Sequence, residues 1–185
     1  MCRKNGFTII ELVIAMVVIG IIAAISIPNL LSWLPQYRLQ SAAQDLYFNL
    51  YLAKISAIKN NASWAIVFNA GADTYHVCSG KGPDNSWGGT DNEVIKKVVL
   101  SDYGSGVAFG RGNAAAPIGG TFGTDFITYS SPANVAVLNS EGTSNAGYVY
   151  LTNSTNAACY GVGTRSSGVV ILRQWIGTDA PDPWE

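Results

Sequence analysis

Few side chains in this sequence are placed to do chemistry, and the most conspicuous is a carboxylate where apolar residues surround it. Glu11 stands near the start of a largely apolar stretch from Phe7 to Leu34; between Leu12 and Ile27 there is no charge, and Ser26 is the only polar side chain. A carboxylate deep in a bilayer costs roughly 2.5 kcal/mol or more, and less near the interface, so such a residue usually has a partner. Two readings of Glu11 stay open on physics alone. It is either a charge awaiting a partner, or a side chain at a helix start that reaches water and is favoured by the helix dipole.

The other candidates are weaker. His76 is the sole histidine, and a lone histidine in a β-type segment is structural more often than catalytic. No Ser/His/Asp or Cys/His arrangement can be assembled, and no glycine loop for phosphate follows a strand and opens a helix. The expectation is a non-enzymatic chain with no cofactor and no metal. The loop Asp84-Asn85 to Asp91-Asn92-Glu93 carries oxygens of the kind calcium takes, but without EF-hand spacing; solvated turn residues account for it. Beyond Cys2, the cysteines are Cys78 and Cys159. Their separation fits no CxxC motif. They are either a disulfide pair, if the body is exported, or two small buried hydrophobes.

The elements that must position these residues fall into two compositional halves. The chain has 185 residues, which suits one domain with a real core. Arg3 and Lys4 precede the apolar stretch, an order that keeps that end in the cytoplasm. The stretch is long enough to span a bilayer, which takes ~20 helical residues. Three explanations compete for it: a secretory signal peptide, with Ala23, Ala24 and Ser26 mimicking its cleavage site; an uncleaved single-span anchor; or the leader of a filament subunit. The length of the run and the early Glu11 argue against the first. Gly20 and Pro28 should weaken the helix locally.

Beyond Pro35 the pattern becomes amphipathic. Leu39, Ala43, Leu46, Leu50, Ala53 and Ala57 recur at helical spacing. Arg38, Gln40, Gln44, Asp45, Asn49 and Lys54 supply the polar faces, and the helix should end near Lys59-Asn60-Asn61. One long helix is expected, apolar all round in its first half and packed on a domain in its second. Short β segments follow at Trp64–Asn69, Thr74–Cys78, Glu93–Leu100, Phe126–Tyr129, Val135–Leu138, Tyr148–Leu151 and Gly168–Trp175. Turn signals such as Gly80–Asp84, Gly104–Gly106, Gly119-Gly120 and Ser166–Gly168 separate them. Asp179 to Glu185 reads as an exposed acidic tail. The net charge of −1 becomes −3 if Arg3 and Lys4 are removed, which argues against a general nucleic-acid binder.

The residues Gly6-Phe7-Thr8-Ile9-Ile10-Glu11-Leu12, behind a short basic leader and before an apolar run containing Pro28, resemble the prepilin peptidase site of type IV pilins and type II secretion pseudopilins. Ser32–Leu39, Ala42–Leu46, Leu52-Ala53 and Ala57–Lys59 resemble the helix of the H-type pseudopilin and minor pilin family (GspH/FimT-like). Val137–Gly142, Tyr148–Thr152 and Val162–Leu172 resemble its strand pattern. The resemblance implies an α+β fold, a long N-terminal helix packed on antiparallel β-sheets. It implies a leader at 1–6, a transmembrane half at 7–34, an amphipathic half at 35–60 and a β-rich periplasmic domain at 61–185. It further implies cleavage between Gly6 and Phe7, N-methylation of Phe7, and an assembly role for the Glu11 charge. The implied partners are other pilin or pseudopilin subunits, the prepilin peptidase and an inner-membrane assembly platform. The implied place is the inner membrane, single-pass, in a type II secretion or type IV pilus system. The alternative is a minor pilin that binds DNA or a surface. DNA-binding members carry a Gly-Arg pair near the C-terminus; here stand Gly163-Thr164-Arg165, a lone Arg173, and Gly168-Val169 where such a pair would fall.

Overall fold

The structure, a computed structural model, describes residues 8–89, 91–177 and 182–185, with only the backbone at Pro28 and Asn29. The chain divides into two compact units, one ending at Leu34 and one beginning at Pro35. A helix, α1, covers Ile9–Asn60, so residues on both sides of that division are helical. Gly20, Pro28 and Pro35 all lie within α1, and none of them ends it.

In the second unit α1 buries one stripe. Leu39, Ala42, Ala43, Leu46, Leu50, Ala53 and Ala57 are fully buried in one cluster, at the spacing that puts one row of side chains on one helix face. Among the described residues, eight strands follow: β1 Trp64–Asn69, β2 Thr74–Cys78, β3 Val94–Val99, β4 Ala108–Phe109, β5 Val135–Leu138, β6 Gly147–Thr152, β7 Tyr160–Thr164 and β8 Val170–Gln174. They form two four-stranded sheets, ordered β3-β2-β1-β5 and β4-β6-β7-β8, antiparallel throughout. Ile66, Phe68, Tyr75 and Val77 of the first sheet and Val149, Leu151, Tyr160 and Val162 of the second enter the same cluster as the helix stripe. The result is the expected α+β arrangement, a helix packed on antiparallel sheets.

Some segments differ from expectation. Phe126–Tyr129 is not a strand; Ile127 makes only an isolated bridge with Val149, and Phe126 has φ of 61°, which leaves the extended region. The sequence reading named no strand at β4 or over the whole of β7. In β7, Tyr160-Gly161-Val162-Gly163-Thr164, glycine hides the pattern, since glycine is depleted in strands. Its reason is close approach: a Cβ on Gly161 would meet Ile118, Trp184 and Tyr150, and one on Gly163 would run into the Gly147 carbonyl and Tyr148.

Of the expected exposed tail, residues 179–181 lie outside the described residues, and the rest is not exposed as a whole. Trp184 is 3% exposed and donates its indole N–H to the Ala116 carbonyl at 3.0 Å. Gln174 and Glu185 exchange two backbone hydrogen bonds, at 2.6 and 3.0 Å, and Arg173 pairs with Asp182 at 2.7 Å. A tryptophan buries too much apolar surface to be left in water when a pocket of Trp175, Tyr150 and Cys159 is within reach.

Cys78 and Cys159 are not bridged; both thiols are free and buried. Cys78 packs with Ala65, Trp87 and Val135 on the first sheet. Cys159 packs with Ala114, Tyr150, Trp175 and Trp184 beside the second. Each thiol belongs to a separate apolar cluster, so of the two readings of the pair this arrangement fits two small buried hydrophobes.

Candidate functional site

Gly6 and Phe7 lie outside the described residues; the described part of the N-terminal segment begins at Thr8. Thr8 is the residue before α1 and its hydroxyl accepts the Glu11 backbone N–H at 3.3 Å. Thr8-x-x-Glu11 is thus an N-cap with a glutamate at the third helical position, the spacing of a capping box. Sequence reasoning singled out Glu11 and missed this role of Thr8, although the Thr-x-x-Glu spacing before an apolar run was there to be read. The cap satisfies an otherwise orphaned backbone donor. It also leaves Glu11 in the first turn, where the positive end of the helix dipole favours a carboxylate.

From Ile9 to Ile27 the helix is long and apolar enough to cross a membrane. Its 19 residues rise about 28 Å at ~1.5 Å each, close to the ~30 Å of a hydrocarbon core. Ile9, Leu12, Val13, Met16, Val17, Ile19, Ile22 and Ile25 are all exposed, so apolar side chains point outward on every face. Glu11 is exposed as well. This surface has no place in water and requires lipid or other apolar helices around it.

The second half of α1 carries a further apolar surface that the sequence reading assigned to polar residues. Phe48, Tyr51, Leu52, Ile55 and Ile58 are each between 45% and 61% exposed. Their spacing places them on a face other than the buried stripe. Asn49, read as part of a polar face, is instead buried. Its amide donates to the Tyr75 hydroxyl at 2.8 Å, and its carbonyl oxygen accepts from Lys96 at 3.1 Å. Burial pushes the Tyr75 phenol well above its ordinary range, the Asn49 bond partly opposing it.

The remaining candidates separate. His76 lies on β2 between Val67 and Lys97 of the neighbouring strands. Burial, and then the Lys97 charge, hold its imidazole below the usual value, so at pH 7 it is neutral. In the loop before β3, the Asp91 carboxylate accepts the Asp84 backbone N–H at 3.1 Å, and the Asp84 carboxylate accepts the Ser86 N–H at 2.8 Å. These acids are spent on turn backbone. Among the described residues no group of three His, Cys, Asp or Glu is gathered as a metal would need. Arg173, one of the two arginines weighed for DNA, is held by Asp182 and by the Trp184 carbonyl, both at 2.7 Å.

Comparison with known proteins bears on both units. Residues 1–27 match the family described as the prokaryotic N-terminal methylation motif. No curated protein matches the chain. Among solved structures, the minor pseudopilin EpsH from the type 2 secretion system of Vibrio cholerae aligns with a TM-score of 0.52 at 13% identity, over 73% of this chain and 95% of that one. A crystal structure of the minor pseudopilin EPSH from the type II secretion system of Vibrio cholerae aligns at 0.48 and 15% identity, over 73% of this chain and 92% of the other. The chain therefore carries the prokaryotic N-terminal methylation motif at residues 1–27, and it has a pilin-like fold similar to that of the minor pseudopilin EpsH.

Proposed function

We propose that this protein is a structural filament subunit, a minor pseudopilin or minor pilin of the GspH/FimT-like kind, serving a type II secretion pseudopilus or a type IV pilus. The carrying observation is the methylation motif over residues 1–27, running into a helix that is apolar on every face. The likeness of fold to EpsH supports the same reading, and so does the exposed apolar face Phe48–Ile58.

The proposed course begins with an inner-membrane precursor whose Arg3 and Lys4 stay cytoplasmic and whose body is periplasmic. Prepilin peptidase cuts between Gly6 and Phe7, and the new Phe7 amine is N-methylated. The subunit then leaves the bilayer through an assembly platform and packs its helix against those of other subunits. In that dry core a Glu11 carboxylate facing the Phe7 amine of a neighbour is a charge pair shielded from water. Such a pair matters more there than at a surface, and it selects the registers in which the partner is present. The buried apolar area, not the pair, supplies the bulk of the attraction once the helix has left lipid. The role proposed is not enzymatic.

Mass spectrometry of the native protein tests the reading. The expected chain starts at N-methylated Phe7. An intact Met1, or a start near Ile25 as a signal peptidase would leave, overturns it.

A further inference from the structure

The first sheet has β5 at one edge and β3 at the other, and the two edges are finished differently. On β5, Asn145 takes the place of a further strand. Its side-chain oxygen accepts the Val137 N–H at 2.8 Å, its amide donates to the Val135 carbonyl at 2.8 Å, and its backbone N–H donates to the Val137 carbonyl at 3.3 Å. On β3 the pairing stops. Leu100, just past the end of β3, donates its N–H to the Asp73 carbonyl at 2.9 Å, so the backbone groups of Leu100 and, two residues back, of Val98 face β2. Successive residues of a strand turn these groups to opposite sides. The N–H and carbonyl of Lys97 and the N–H of Val99 therefore point outward, and among the described residues nothing pairs with β3 on that side.

An open groove of about 260 Å³ lies here, lined by residues 96–99 of β3, by Asp102 and Tyr103 from the turn after it, and by Asp45 of α1. Two of its charged side chains are engaged within the chain: Asp45 accepts from the Tyr103 hydroxyl, and Lys96 donates to Asn49. Lys97 and Asp102 form no ion pair among the described residues. The groove thus offers a cation on the strand and an anion just beyond the strand's end.

Unpaired backbone groups on an exposed edge are a template for a further strand, and the charges decide which strand. Two copies of β3 paired antiparallel about Lys96 or Lys97 would set lysine opposite lysine, which is destabilising. A strand with a carboxylate opposite Lys97 is favoured instead. Running antiparallel, it carries its earlier residues past Val99 toward Asp102, where a cation fits. We infer that the β3 edge docks an extended segment of another protein, antiparallel, in which a basic residue is followed four positions later by an acidic one lying opposite Lys97. The main chain supplies attachment and the two charges supply register and direction. The inference stands independently of the filament reading.

The test is titration of the full ¹⁵N-labelled chain, in micelles of an uncharged detergent, with two end-blocked peptides. One is Lys-Val-Thr-Val-Glu-Val; the other, Glu-Val-Thr-Val-Lys-Val, has the same composition with the charges exchanged. The first should saturate in the millimolar range and shift the amides of Lys97 and Val99 most. The second should bind at least about threefold more weakly. Val99→Pro removes an outward N–H that the ladder does not use and should weaken the first peptide about tenfold. Lys97→Glu should abolish the preference for the first peptide; a dispersed spectrum shows that each variant is folded. The inference fails if neither peptide saturates below about 50 mM, an affinity too weak to be specific. It fails if the exchanged peptide binds as well as the first, or if both folded variants bind like the parent. It fails too if concentration-dependent broadening at Lys97 and Val99, without peptide, shows copies of this chain paired along β3.

Discussion

At the scale of single residues, the role proposed for the Glu11 charge is separable from the helix cap. Thr8 caps the helix by accepting the Glu11 N–H, a backbone role indifferent to the glutamate charge. The carboxylate itself is exposed, as the proposed pairing with a neighbouring subunit requires. A Glu11→Gln variant keeps shape and cap while losing charge. It should be cleaved, stay in the membrane and keep a folded body, yet be depleted from sheared filaments relative to its membrane level; recovery equal to wild type would dismiss the charge-pairing account. The thiols offer a second prediction at this scale. Burial raises Cys78 from 9.0 to about 11 and Cys159 from 9.0 to about 12. A raised acid is stabilising while protonated, so the contribution is whole below pH 9 and is lost as pH climbs through the folded values. Unfolding curves of wild type against a Cys78→Ala/Cys159→Ala double variant should therefore converge between pH 9 and about 12. Alkylation of the processed chain under denaturing, non-reducing conditions should label both thiols, and in the folded chain neither at pH 8. Cys78 and Cys159 could be found in the sequence but not their separation, because pairing depends on which sheet each strand joins.

At the scale of the element, α1 has two apolar faces in its second half, one buried and one exposed. Leu46 lies in the buried stripe, so Leu46→Ala should cost about 2–5 kcal/mol in a urea melt of the full chain in micelles. Leu52 is 54% exposed. Leu52→Glu should shift that stability by no more than about 0.5 kcal/mol, while sharply lowering incorporation into filaments. Equal effects of the two on folding would show that Leu52 is core. The buried stripe was legible because its period is set by helix geometry alone. The exposed face was not, since an apolar residue on a helix looks the same whether its partner is its own domain or another subunit. β7 escaped notice for the opposite reason: Gly161 and Gly163 are there to let Tyr148, Trp184 and Ile118 close over the strand, and no local propensity records that.

At the scale of the whole molecule, chain closure depends on the C-terminus. Trp184 caps the cluster of Tyr150, Cys159 and Trp175, bonds to Ala116, and continues β8 by pairing with Trp175. Trp184→Ala should destabilise the body by about 3–5 kcal/mol and speed amide exchange around Ala116 and Ile118. A variant as stable as wild type would return these last residues to the status of a loose tail.

The sequence by itself determined the N-terminal motif, the span, the buried stripe of α1 and the strands β1, β2 and β5, because each is written in residues close along the chain and read through one fixed period. What lay in contacts between distant segments was decided only by the tertiary structure. The amide of Asn49 turns inward because Tyr75 and Lys96 are there to bond it. The thiols part because β2 and the start of β7 lie in different sheets. Burial and pairing are properties of neighbours in space, and a chain states its neighbours only once it has folded.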